Sequence, residues 1–217
     1  MRSIYLVLSS SDVTLEWLRR VGAAVLVQLA RDVCPAWELA VPSLGVAATM
    51  EAVPFDAWPI VLLQDTDVAS AMGYHSETPE GRPYARVFTR GASLDDITIT
   101  ISHEAAEAVV DPCVNMWALG PDGILRAVEV CDPVEGDSYS VEPGVLVSNF
   151  VPPAWFDSSP PSGARFDHLE LVAGPGVCRP GGYISTRSAT GPGVLGNREA
   201  AARHAAHPAS RTARRSR

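Results

Sequence analysis

Among the 217 residues there is no lysine, and all 17 basic side chains are arginine; that absence reads as codon bias rather than chemistry. Cysteine is sparse. The four, at 34, 113, 131 and 178, form no CxxC pair and no metal-ligand spacing, which points to separate buried thiols in a reducing compartment. Cys113 with Cys131 is the single pairing to entertain. No apolar run approaches the ~20 residues of a membrane span, and the longest, Val21–Leu29, is interrupted by Gln28. The first ten residues carry one arginine and the apolar stretch Ile4–Leu8, too short for a secretory h-region. The expectation is an unexported product, cytoplasmic or virion-associated, with no signal peptide and no membrane partner. Composition also excludes collagen, coiled coil and wholesale disorder.

What is present is enough apolar content, 47%, for one domain with a core of its own. Charge is unevenly placed. Residues 186–217 hold seven arginines and one glutamate, so residues 1–185 carry −14 of the overall −8. A body this acidic repels nucleic acid and suits cations. From Ser188 onward the chain is rich in Ala, Arg, Ser and Pro with hardly an apolar anchor after Leu195. It reads as a domain over 1–187 followed by a disordered tail over 188–217. A nucleic-acid arm is the lesser reading of that tail.

Hydrophobic periodicity predicts strands at Ser3–Leu8, Leu44–Ala48, Pro59–Leu63 and Tyr84–Thr89. Between the first two, Asp12 can cap a helix whose apolar positions run from Leu15 to Val33 and stop before Pro35. Asp65–Met72 reads as a short helix closed by Gly73, and Tyr74–Pro83 as a turn-rich stretch. Ile97-Thr98-Ile99-Thr100-Ile101 alternates like a strand. Yet Ile97, Ile101, Ala105 and Val109 fall at four-residue spacing, so the reading is a helix over Leu94–Val110, capped by Ser93 or Asp95 and ended by Pro112. Later strands are expected at Asn115–Leu119, Ile124–Cys131, Val145–Phe150 and His168–Val172. The fold class is α+β with an α/β-like N-terminal part and an irregular C-terminal lobe.

Chemistry concentrates in Ser102-His103-Glu104-Ala105-Ala106-Glu107, which runs on to Asp111-Pro112. On a helix, His103 and Glu107 stand ~40° and ~6 Å apart, close enough to grip one cation. Glu104 sits on the flank, where its carboxylate reaches a metal-bound water rather than the metal. This is the logic of the HExxH helix with glutamate in place of the second histidine. By itself the pattern is weak, since an amphipathic helix with two solvated acids reads the same way.

The ordered set of motifs resembles a zincin-type metallopeptidase domain (HExxE variant) of a poorly characterised phage and bacterial group. The likeness spans about Trp58–Ser185, with weaker support at Gln28–Trp37. Its pieces are Gly73-Tyr74-His75, Pro83–Phe88, Ser102-His103-Glu104 through Pro112, Glu129-Val130-Cys131-Asp132-Pro133, Val147–Phe156 and Gly181-Gly182-Tyr183. The resemblance implies a mixed sheet with a backing helix and an active-site helix. It also implies a bound zinc held by His103 and Glu107, with Glu104 as general base.

The remaining ligand is open at this level. Asp111 lies ~12 Å along the helix from His103 and reads better as a carboxylate bracing the helix end. Glu129 and Asp132, three apart, point to opposite faces of a regular strand. Glu129 is then the favoured third ligand and Asp132 the partner that orients His103, unless Pro133 begins a turn that swings Asp132 round. His75 is read in a loop as a ligand, a transition-state donor or a bystander. Tyr74 and Tyr84 read as packed aromatics, and His168 as structural. One histidine with two carboxylates neutralises a dication, which weakens its polarising power and favours a harder cation than a two-histidine site does. Two functions follow. One is a zinc-dependent hydrolase acting on peptide or protein. The other is a non-catalytic zincin-like phage-derived module for structure or interaction.

Overall fold

The computed structural model describes residues 2–67, 71–120, 122–142 and 144–199. Strand β1 (Ser3–Ser9) buries Ile4, Leu6 and Val7 at the centre of the core. It leads into helix α1 (Leu15–Gln28), which Thr14, rather than Asp12, caps by accepting from the Trp17 N–H. Pro35 does not stop this helix. The chain widens into a π-helical turn over Leu29–Val33, and the Cys34 N–H reaches the Leu29 carbonyl. It then continues through α2 (Cys34–Ala36). Proline sits at the start of that last turn, where its missing N–H costs least.

Strands β2 (Ser43–Ala47), β3 (Trp58–Leu63), β4 (Gly73–Glu77) and β5 (Pro83–Phe88) join β1 in one sheet of order β2-β1-β3-β5-β4. Its neighbours run parallel except β4, which pairs antiparallel with β5 at the edge. The fold is therefore α+β, as composition and periodicity predict. Helix α3 (Leu94–Val110) has the bounds read from sequence. Ser93 and Asp96 form a reciprocal capping box. The hydroxyls of Thr98, Thr100 and Ser102 donate back to the carbonyls of Asp95, Asp96 and Ile99, so the β-branched run is absorbed into the helix.

Helices α1 and α3 touch each other as well as the sheet. On their far side lies the hairpin β8 (Ser138–Glu142) and β9 (Val145–Ser148). The Ser148 N–H donates to Ser102 Oγ at 2.7 Å, and Gln28 Nε2 donates to the Ser148 carbonyl at 2.7 Å. Helix α3 is thus sandwiched, which is why even Ser102, Glu104 and Glu107 are buried.

Several expectations fail, each for a local reason. Among the described residues of Asp65–Met72 there is no helix; Asp65 pairs with Arg90 and Asp67 with Arg86 and Tyr74. Val68–Ser70 of that stretch lie outside the described residues. Tyr74–Pro83 opens as strand β4 rather than as turn. The strand foreseen at Ile124–Cys131 shrinks to β7 (Leu125–Ala127), paired with β6 (Trp117–Leu119). His168–Val172 is a turn knotted on Asp167, which accepts from the Val172 N–H and the Asn149 amide. The boundary at 187 also moves. Strand β10 (Tyr183–Ser188) pairs with β11 (Gly191–Gly196), where a backbone ladder and the packing of Val194 on Tyr183 replace a rich apolar pattern. Residues 200–217 of the foreseen tail lie outside the described residues. All four cysteines are free thiols.

Candidate metal centre

Three chain segments converge on the inner face of α3. The helix supplies His103, Glu104 and Glu107, the edge strand β4 supplies His75, and the segment after β7 supplies Glu129 and Asp132. The last residue arrives through a turn. Cys131 is in the right-handed helical region, and Asp132–Val134 form a 3-10 turn with Pro133 inside it. Gly182 makes room for that turn: a Cβ there would lie 2.1 Å from the Pro133 carbonyl oxygen. The Arg179 N–H donates to the same carbonyl at 2.8 Å.

Glu107 is the hub. Its Oε1 accepts from the Cys131 N–H at 3.1 Å, which aims Oε2 at two imidazoles. His103 Nε2 lies 3.3 Å from Oε2 and His75 Nδ1 lies 3.5 Å from it. His103 Nε2 also faces Asp132 Oδ1 at 3.4 Å, and His75 Nδ1 faces Glu104 Oε2 at 3.5 Å. Behind His75, Nε2 faces Glu129 Oε2 at 3.6 Å. His75, Glu104, Glu107 and Asp132 are all more than nine-tenths buried. Nevertheless Glu104 Oε2, Asp132 Oδ1 and His75 Nε2 make no hydrogen bond. Buried polar atoms are rarely left so.

The spacing bears on two of these atoms, Glu104 Oε2 and Asp132 Oδ1. Distances of 3.3–3.5 Å exceed the usual N–H···O length of ~2.7–3.2 Å. They match the ~3.4 Å edge of a tetrahedron whose metal–ligand bonds are ~2.1 Å. Two sets, the buried His75–Glu104–Glu107 and the partly exposed His103–Glu107–Asp132, each place three ligand atoms within 4.8 Å of one another. This buried cluster could hold a metal ion.

Electrostatics point the same way. Burial alone would lower both imidazoles, but the surrounding acids outweigh it: chiefly Glu129, Glu104 and Glu107 at His75, and Glu107 and Asp132 at His103. Both histidines are held well above their ordinary range. Burial would likewise raise Glu107, and His103 and His75 pull it well below the usual carboxylate range. A concentration of negative charge that draws protons draws cations on the same terms.

The structure therefore brings His103 and Glu107 together as their spacing predicts, and of the two acids downstream it sets Asp132 beside His103 and Glu129 beside His75. Asp132 faces the same His103 nitrogen that Glu107 faces, whereas an orienting acid would face the other one. Glu129 faces His75 Nε2 at 3.6 Å. The turn at Pro133 is the cause. His75 lies on a strand, not in a loop, and its ring nitrogens face the carboxylates of Glu104, Glu107 and Glu129. Asp111 braces the helix end, accepting from the N–H groups of Asn115 and Met116 at 3.1 and 2.9 Å. Tyr74 packs against Phe88 and Tyr84, and His168 stacks on Phe150.

Two participants escape a sequence reading. Tyr183 is fully buried with its phenol interacting with Asp132. Gly73 opens β4 where it crosses α3, and a Cβ there would lie 2.6 Å from Thr100 Cγ2 and 2.9 Å from Glu104 Oε1. The Gly-Tyr-His and Gly-Gly-Tyr triplets are the signals that carry them.

A cleft of about 510 Å³ opens over one side of this cluster, lined by Met72, Gly73, Ile99, Thr100, His103 and Glu104 among others. Among the described residues no helix is long and apolar enough to cross a membrane. Comparison with protein-family models, with curated proteins and with solved structures gives no significant match.

Proposed function

We propose that this protein is a metal-dependent hydrolase, a zincin-like peptidase, whose metal is held by His103, Glu107 and Asp132. The observation that carries the reading is the His103–Glu107–Asp132 triangle. Its contacts of 3.3 and 3.4 Å suit the edges of a metal-ligand tetrahedron, and His103 lines the open cleft. One nitrogen and two carboxylate oxygens suit zinc and also tolerate a harder cation.

When bound, a zinc ion supplies a Lewis acid for a carbonyl oxygen and lowers the pKa of water. The chain does the rest. Glu107 is locked by the Cys131 N–H, and Asp132 by its turn, so the ligand atoms are oriented before any metal arrives. Glu104, beside Gly73 on the cleft wall, is placed to take a proton from a water in the cleft and pass it to a leaving amine. Strand β4 borders the cleft through Gly73 and is the edge of its sheet. An extended peptide can add to such an edge through main-chain hydrogen bonds, which is why a peptide is the favoured substrate.

The test is hydrolysis of a mixed peptide library by the zinc-loaded chain. Cleavage that is lost in Glu104→Gln and on chelation supports the reading. Metal binding with no cleavage by the wild-type chain would favour the non-catalytic module instead.

A further inference from the structure

We infer that the cluster holds two divalent cations rather than one, with Glu107 Oε2 bridging them. The inference rests on the metal-centre reading above and extends it to a second position formed by His75 Nδ1, Glu104 Oε2 and Glu107 Oε2.

Geometry carries it. The second set repeats the first at the same spacing, 3.5 Å from His75 Nδ1 to each carboxylate, against 3.3 and 3.4 Å around His103. A cation at His103 leaves this second set unexplained, because Glu104 Oε2 is more than nine-tenths buried and makes no hydrogen bond. The two histidines address one and the same oxygen from different chain segments. Since Oε1 is held by the Cys131 N–H, Glu107 is arranged to bridge through a single atom. Paired cations in hydrolytic sites stand ~3.5–4 Å apart, a spacing that one shared carboxylate oxygen imposes.

Charge closes the argument. Glu104, Glu107, Glu129 and Asp132 bring four negative charges into a buried site with two imidazoles. One dication leaves negative charge uncompensated, and two dications beside neutral imidazoles balance all four carboxylates. Glu129 then has a defined place. It faces the Nε2 of His75 at 3.6 Å, opposite the liganding nitrogen, where a carboxylate fixes the ring and its tautomer. With Oε2 of Glu104 engaged, its Oε1 beside Gly73 still borders the cleft as a proton acceptor.

The experiment counts metal on the full chain. Zn²⁺ titration of the metal-stripped protein, read by calorimetry and elemental analysis, should give two ions per chain. His75→Ala should bind one, and Glu107→Gln should weaken both positions together. Mn²⁺ at two equivalents should give an exchange-coupled electron paramagnetic resonance spectrum, a readout that needs no variant to fold. A single Zn²⁺ per chain, lost in His103→Ala and unaffected in His75→Ala, overturns the second position and leaves the proposed function standing. Two uncoupled Mn²⁺ ions also overturn it, because the shared oxygen would then be wrong. No bound metal at all overturns both readings.

Discussion

Glu107 accepts a hydrogen bond from the backbone N–H of Cys131 at 3.1 Å, and that bond joins helix α3 to the segment carrying Glu129 and Asp132. It fixes which oxygen of Glu107 is free, and it holds the Asp132 turn against the helix. The site is therefore built from a local spacing, i to i+4 on α3, and from one long-range contact that no local pattern reports.

That contact ranks the two acids. Asp132→Asn should weaken metal binding at His103 by more than the ~10–100-fold typical of a supporting residue, because it removes a carboxylate oxygen facing Nε2. Glu129→Gln should weaken the His103 position less, since Glu129 faces His75. Zn²⁺ titration of the two variants checks the order, and a larger loss in Glu129→Gln would return Glu129 to the ligand shell.

This ranking is where sequence and structure part. Helix α3 and the pairing of His103 with Glu107 are legible because helical spacing is a local property, and Ser93 and Pro112 mark its ends. Asp132 is not, because its direction depends on the turn at Pro133 and on the room left by Gly182, far along the chain. His75 is read in a loop rather than a strand for another reason. Gly73-Tyr74-His75-Ser76-Glu77 has little apolar alternation, and it becomes a strand by pairing along β5 at the sheet edge. Strand β11 hides likewise in Gly191-Pro192-Gly193-Val194-Leu195-Gly196, where backbone pairing does what side chains do elsewhere.

Gly73→Ala should disturb the site without removing a ligand. The added methyl would meet Thr100 Cγ2, Glu104 Oε1 and the Arg86 carbonyl at 2.6, 2.9 and 3.0 Å. Strand β4 must then move off α3, carrying His75 with it. Overpacking of this kind costs about 1–3 kcal/mol. The expected result is a lower melting temperature together with weaker metal binding; unchanged metal affinity would show that β4 does not set the position of His75.

Asp111→Asn should act on stability and leave the metal in place. The carboxylate accepts from the N–H groups of Asn115 and Met116 and is 1% exposed. An amide in its place keeps only one acceptor oxygen, so one of the two part-buried hydrogen bonds to the carboxylate is lost at a cost of about 1–3 kcal/mol. Denaturant unfolding of the variant measures it, and loss of metal rather than stability would place Asp111 among the ligands.

Acid should loosen the packing of α1 against the β8–β9 hairpin through Asp32. Burial alone would raise this carboxyl, but hydrogen bonds from Arg31 and Tyr139 outweigh it and hold it below its ordinary value. A carboxyl with a depressed folded-state pKa contributes stability above its unfolded value of ~3.9. That contribution fades as pH falls through the lower folded-state value. Asp32→Asn should therefore be less stable near neutrality and show a flatter stability profile below about pH 4. Parallel wild-type and variant profiles through that range would contradict the assignment.

Anomalous scattering at the zinc absorption edge, from crystals of the full chain grown with Zn²⁺, tests the central claim most directly. The account predicts a peak at bonding distance, ~2 Å, from His103 Nε2, Glu107 Oε2 and Asp132 Oδ1. A fully ordered site with no peak inside that triangle, or a peak held by other residues, would contradict it.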